Sequence, residues 1–365
     1  MMRNVRRLRA GLRGWGGVGA MAALCALALV FALVLTSTGP SSRAGGKEPG
    51  AAGRAVADAA GTKADGAGTK ADGADGAAEE CDDPEKQTLA PSGDDGPTID
   101  RIKARKGEKR KLVVGVDQNS YRWGYRDPNS RGSTGLEGFD IDLAHRIAED
   151  VLGDRNAVQF KAIPTDRRIP AIESGRVDMV VRTMTIACDR VEDVAFSAPY
   201  FRTGQQVLAQ KESPVEGYGP TLADRKVCTA AGSTAFTTLE EDRARGVLPR
   251  SVDIRTTVPN QLDCLVRLQL GRVDAVVTDA ALAASQAAQD PTVELKGDSF
   301  TTEYYGVAMR KDADDLVRRV NRTLVDFRED TTDGWQASYE RWLSETLGKD
   351  PGSSEPPAPE YLRVS

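Results

Sequence analysis

A single histidine, His145, among 365 residues removes several kinds of chemistry at once. A metal site built on several imidazoles is excluded, and a Ser-His-Asp triad could rest only on His145. That residue lies on the polar side of Ile141, Ala144, Ile147, Ala148 and Val151, so it reads as a surface residue. Aromatics make up only 5% of the chain, no basic stripe is interleaved with them, and the net charge is −5; a general nucleic-acid binder is therefore not expected. There is no GxSxG, no P-loop and no CxxC. No catalytic residue, cofactor or metal is assigned.

Cysteine is also scarce. Of five, Cys25 falls inside an N-terminal apolar run, which leaves Cys81, Cys188, Cys228 and Cys264. An even set in an exported chain reads as two disulfides. Export is suggested by residues 1–17, rich in arginine (Arg3, Arg6, Arg7, Arg9, Arg13), followed by an uncharged stretch at 18–35. That stretch is marginal for a membrane span and long for a signal core. Thr36-Ser37-Thr38 is a poor cleavage site, and Leu24 before Cys25 is not the small residue a lipoprotein signal requires. An uncleaved anchor is favoured, with the rest of the chain on the outer face; cleavage would instead give a secreted form. Residues 36–98 are Gly-, Ala-, Asp- and Lys-rich, with Gly-Thr-Lys-Ala-Asp-Gly-Ala starting at Gly61 and again at Gly68, and read as a disordered tether. Residues 348–365 read as a Pro-rich tail.

Between tether and tail the sequence repeats one phrase, Gly-Arg-Val-Asp, at 175–178 and at 271–274. Each copy follows an apolar helical pattern and opens an apolar strand, Met179-Val180-Val181 in one case and Ala275-Val276-Val277 in the other. Glycine ends the helix in the left-handed conformation, and the β-branched run is a buried parallel strand. Two such units predict an α/β protein of two similar lobes, with strand ends facing a shared ligand cleft. Residues 99–206 and 307–347 form the first lobe in this reading and 207–306 the second, with a hinge near Gln206–Gln210 and Tyr305–Met309.

The polar residues after the two strands suggest what the cleft holds. Thr183-Met184-Thr185 followed by Arg190 makes a carboxylate receptor from hydroxyls, backbone N–H groups and a planar guanidinium fork. Asp279, at the end of the second strand, is either a helix N-cap or the acceptor of an ammonium group. Ala231-Gly232-Ser233-Thr234 opens a helix whose free N–H groups suit an anion or simply need capping. A carboxylate grip with an ammonium grip matches the head group of an α-amino acid.

From about Lys111 to Leu347 the chain resembles the family 3 extracellular solute-binding proteins of polar amino-acid ABC transporters, which have the type II periplasmic-binding-protein fold. The resemblance is carried by Gly138-Phe139-Asp140-Ile141-Asp142-Leu143, the two GRVD phrases, Met184-Thr185-Ile186 with Asp189-Arg190, and Phe196-Ser197-Ala198-Pro199-Tyr200. Ala231-Gly232-Ser233-Thr234 and Tyr305-Gly306-Val307-Ala308 complete it. Within the family the chain looks similar to the glutamate-binding members from actinobacteria. The resemblance implies that Arg190 takes the ligand α-carboxylate with Thr185 and Thr183, that Asp279 takes the ammonium, and that Thr234 contributes from the second lobe. It implies that Arg168 reads an acidic side chain, and that Asp117 with Tyr121, Trp123 or Tyr125 lines the first loop. Arg182 stands where many members have a small residue and adds a basic group or narrows the pocket.

A monomeric binding protein for an amino acid, glutamate first, docking on ABC permease subunits, is the reading these residues support. The rivals are an enzyme on the same fold, such as a dehydratase or lytic transglycosylase, and a ligand-sensing ectodomain. Disulfides Cys228–Cys264 and Cys81–Cys188 are expected, because a bond from Cys188 to the second lobe would lock the hinge.

Overall fold

The structure, a computed structural model, describes residues 81–127, 135–348 and 352–364. The anchor expected at 18–35 lies outside them, as does most of the tether. No helix among the described residues is long and apolar enough to cross a membrane.

Two five-stranded sheets share one topology. In the first lobe the order is Val158–Ala162, Leu112–Val116, Met179–Val180, Ala308–Arg310, Val194–Phe196. In the second it is Asp253–Val258, Lys226–Ala230, Ala275–Asp279, Gln205–Gln210, Val293–Lys296. The first three strands of each sheet run parallel, and the fourth, which arrives from the other lobe, is antiparallel to both its neighbours.

The repeated phrase does the same work twice. Gly175 and Gly271 adopt φ of +67° and +62°, which ends the preceding helix where a side chain would strain the backbone. The aspartate then brackets the start of the strand next to its own, the second in each sheet order. In lobe 1 the Asp178 N–H donates to Val113 O at 2.8 Å, and the Asp178 carboxylate accepts the Val113 N–H at 2.8 Å. In lobe 2 Asp274 makes the same two bonds with Lys226, at 2.8 and 2.7 Å. Val177 and Val273, between glycine and aspartate, are buried in the lobe cores.

The lobes are joined by two antiparallel strands, Phe201–Thr203 and Glu303–Tyr305, a few residues away from the expected hinge. Gln205–Gln210 and Ala308–Arg310 are already inside their sheets, because each crossover strand pairs on both edges as soon as it enters the lobe.

The boundaries expected at both ends need correction. Residues 81–98 fall in the range read as a tether, yet they include a three-residue turn of helix at Pro84–Lys86 and the start of the helix Pro97–Lys103, and Thr88 and Leu89 are buried. A few apolar side chains suffice here because the segment is fastened by specific bonds rather than by a broad face. The Asn321 amide donates to Thr88 Oγ1 and Leu89 O, and Cys81 is bonded to Cys188. The tail also packs: the Leu362 and Arg363 N–H groups donate to Lys86 O and Thr88 O, and Arg363 pairs with Asp314 at 2.8 Å. The second disulfide joins Cys228 on a strand to Cys264 on the helix Gln261–Gln269, inside the second lobe.

Candidate functional site

The ends of the third strands face one another across the cleft, and the residues following them are buried there. Arg190 lies on the one-turn helix Cys188–Val191 and is 5% exposed. Its guanidinium donates to Thr185 O at 2.8 Å in its own lobe and to Gly232 O at 3.2 Å in the other. Arg168 opens the helix Arg168–Glu173 and donates to Thr165 O at 2.9 Å and again to Gly232 O at 3.2 Å. A single carbonyl of the second lobe thus receives both arginines. Asp166 pairs with Arg167 rather than with Arg168. Burial, then repulsion from Arg190 and Arg182, push the Arg168 guanidinium well below its ordinary value. Burial also lowers Arg190, against the pull of Asp189, Glu303 and Asp279.

On the opposite side stands Asp279, at the N-cap of the helix Ala280–Ala287. Its side chain makes no capping bond there; it accepts the Tyr305 hydroxyl at 2.5 Å instead. Burial, then repulsion from Glu303, raise its carboxyl to about 7. Glu303 was not legible as a site residue. It is buried on the hinge strand and accepts the hydroxyls of Thr185 at 2.5 Å and Thr234 at 3.0 Å, together with the Gln205 amide. The signal available was strand alternation: Glu303 and Tyr305 share one face, and Tyr305 touches Asp279. Thr185 and Thr234 therefore turn their hydroxyls to this carboxylate, one from each lobe. Ser233, rather than Thr234, caps its helix, accepting the Phe236 N–H at 3.2 Å.

Thr183 adopts φ of +42°, an uncommon conformation for threonine, and its N–H donates to Asp140 Oδ2 at 3.0 Å and Tyr200 Oη at 3.2 Å. Asp140 also accepts the Tyr200 hydroxyl at 2.8 Å, and burial raises its carboxyl to about 7. The Gly-Phe-Asp motif thus anchors the turn that precedes Thr185.

Four expected pocket residues have other surroundings. Asp117 and Arg182 form a buried ion pair at 2.9 Å. Asp117 also accepts the Gln118 and Asn119 N–H groups and the Ser120 hydroxyl, so its oxygens are fully occupied. Arg182 donates to Thr165 Oγ1 at 3.0 Å and, across the cleft, to Asn260 Oδ1 at 3.1 Å. It therefore ties the lobes together rather than presenting free charge. Trp123 is fully buried against Phe139, Phe201 and Tyr305, a core position no short spacing distinguishes from a shelf. Tyr121 is half-buried, edge-on to Tyr125, and both line a separate cavity of about 650 Å³ with Leu262, Ala288 and Gln289. No group of three or more metal-ligating side chains occurs among the described residues.

This arrangement has known counterparts. The family model for bacterial extracellular solute-binding proteins, family 3, matches residues 112–345. The chain belongs to that family. It is 32% identical over 235 residues to the glutamine-binding protein of a Bacillus subtilis ABC transporter, covering 64% of this chain and 82% of the relative. A glutamate-binding protein of Corynebacterium efficiens is 29% identical over 254 residues, covering 67% of this chain and 81% of the relative. Among solved structures, the L-cysteine solute receptor of Neisseria gonorrhoeae superposes with a TM-score of 0.61 at 26% identity, covering 69% of this chain and 96% of the receptor. These relatives are binding proteins, so the enzyme reading is set aside.

Proposed function

We propose that the chain is the amino-acid-binding component of an ABC importer and that it prefers an acidic amino acid, glutamate first. The observation that carries the preference is the pattern of charge pairing in the cleft. Among the described residues, Arg168 and Arg190 have only backbone carbonyls as bonding partners, and Asp279 and Glu303 have only hydroxyls and an amide. Arg182 and Asp117 cancel each other. A zwitterionic head group occupies one arginine and one carboxylate. Glu303 is already satisfied by three neutral donors, whereas Arg168 is left with a buried charge that a second ligand carboxylate would pair. A lysine or arginine ligand would instead face like-charge repulsion in a low-dielectric cleft.

Glutamine is the informative competitor, since a glutamine-binding protein is among the relatives and the ligand is nearly isosteric but neutral. Calorimetric titration of the twenty amino acids should rank glutamate above glutamine, and Arg168→Met should close the gap. Tighter binding of arginine or lysine than of glutamate would overturn the acidic preference. The family description as extracellular fits an outer-face location, with the segment 18–35 as anchor and permease subunits as partners of the closed form. N-terminal sequencing of the mature protein tests the anchor: a start after Leu35 would make the protein secreted.

A further inference from the structure

Two segments lie outside the family match at 112–345: the strap at 81–92 and the tail at 352–364. The strap is bonded to the loop that carries Arg190, and the tail is bonded to the strap. That arginine sits in a helix of only four residues, Cys188–Val191, whose N-cap Ala187 supplies no side-chain bond. A single turn of helix is not stable by itself, because nucleation fixes several residues for one hydrogen bond. Its direction in space must come from elsewhere.

The strap supplies it. Cys81 is bonded to Cys188, the first residue of that turn and two residues before Arg190. On the far side of Arg190, the Thr88 hydroxyl donates to Phe196 O at 2.7 Å. Asn321 joins the two, donating to Thr88 Oγ1 at 3.0 Å while its Oδ1 accepts the Ala198 N–H at 2.7 Å. The tail then covers the strap: the Leu362 and Arg363 N–H groups donate to Lys86 O and Thr88 O, Glu360 pairs with Lys86, and Arg363 pairs with Asp314.

We propose that the Cys81–Cys188 disulfide, with the strap it fastens and the tail that covers the strap, positions Arg190 for the ligand α-carboxylate. The inference rests on Arg190 being the head-group receptor, as proposed above. Opening the disulfide leaves the guanidinium chemically intact but frees the turn that aims it, so recognition of the α-carboxylate weakens while contacts elsewhere in the cleft persist.

The test compares native protein with Cys81→Ser/Cys188→Ser, titrating glutamate and its α-carboxamide. Glutamate should bind about tenfold more weakly to the variant, with the α-carboxamide nearly unchanged, and the loss should vanish in an Arg190→Ala background because the effects share one interaction. Equal weakening of both ligands, or none, overturns the proposal. If the variant does not fold, native protein treated with dithiothreitol serves. The reagent leaves as its cyclic disulfide, two electrons and two protons reduce Cys81 and Cys188 to thiols, and peptide mapping verifies that the buried Cys228–Cys264 bond is intact. Arg363→Ala, which uncovers the strap without touching the disulfide, should weaken glutamate in the same direction. If native protein does not bind glutamate, the acidic preference fails, and the same comparison is made with glutamine, arginine or cystine and the corresponding α-carboxamide, since the head group is common to all.

Discussion

Gly232 is one of the points where the two lobes meet, and Gly232→Ala separates folding from closure. Its φ is +72°, so alanine is strained there whether the cleft is open or shut. That strain costs roughly 1–2 kcal/mol and lowers Tm by a few degrees, but it cancels from the binding equilibrium. The closure penalty is different. A Cβ at 232 would lie 2.9 Å from Asp166 Cα and 3.3 Å from Asp166 Cβ, and Asp166 belongs to the other lobe. A backbone atom cannot swing aside, so the lobes must stand off by a few tenths of an ångström. The Gly232 carbonyl would then lose its alignment with Arg168 and Arg190, now 3.2 Å away in each case. Overpacking of this kind costs about 1–3 kcal/mol, which corresponds to a roughly 5- to 150-fold rise in Kd. Isothermal titration gives Kd, calorimetric melting gives Tm, and small-angle scattering reads the compaction on adding ligand. A lowered Tm with Kd within twofold of native would refute the claim that Gly232 is a closure contact.

Removing either pole of the head-group clamp, by Arg190→Ala or Asp279→Ala, should weaken binding by about 2–5 kcal/mol, because a buried charge is left without its partner; near-normal titration would sink the assignment. The pH response follows from Asp279 and Asp140, whose carboxyls are raised from 3.8 to about 7. Between about pH 4 and 7 the folded chain holds protons that the unfolded chain has released, so their contribution to stability falls as pH rises through that window. The ligand ammonium favours ionised Asp279, so binding releases a proton and affinity should fall by up to about tenfold per pH unit below 7. Titrations at three pH values check this, and a flat profile would be incompatible with it. Arg182→Met should destabilise the protein by about 3–5 kcal/mol by stranding the buried Asp117, and Arg182→Met/Asp117→Asn should recover most of that in denaturant melts. A role for Arg182 as a free ligand group predicts the reverse pattern, lost affinity with little change in stability.

The parts of this fold that could be read in advance are those written locally. Gly175 and Gly271 announce where helices end, the β-branched runs after them announce buried strands, and Arg190 and Asp279 follow at short, countable distances. What could not be read depends on pairs far apart in sequence. Asp117 and Arg182 each look like pocket charge until the fold brings them to 2.9 Å. Trp123 sits in a polar-looking loop, but its burial is decided by Phe201 and Tyr305, which arrive from the hinge. Glu303 follows two threonines, and only the strand alternation it shares with Tyr305 marks it. The segment from Cys81 to Lys103 was obscured by composition: glycine and aspartate dominate its surroundings, and Leu89, Ile99 and Ile102 show that it packs.

The repeated phrase and the divergent chemistry occupy opposite ends of the same strands, which explains how one architecture carries opposite charges. Asp178 and Asp274 bracket Val113 and Lys226 where the strands begin, and they are interchangeable in role. Four or five residues later, where the strands open on the cleft, the lobes part company. One continues into Arg182, Thr183 and the turn bearing Arg190; the other ends on Asp279. The charge left without an ionic partner is therefore of one sign on each side, Arg168 and Arg190 in the first lobe and Asp279 in the second, and it is expensive to take out of water. Closing without ligand would bury both sets with only carbonyls, hydroxyls and amides as partners. A ligand whose own charges are arranged in the complementary order converts that penalty into paired, hydrogen-bonded contacts on both sides at once. Closure is then favourable to the extent that the ligand binds the shut form better than the open one, which is the condition any ligand-driven equilibrium must meet. Glu303, on the hinge strand, is bonded to Thr185 of one lobe and Thr234 of the other, so it senses both lobes together.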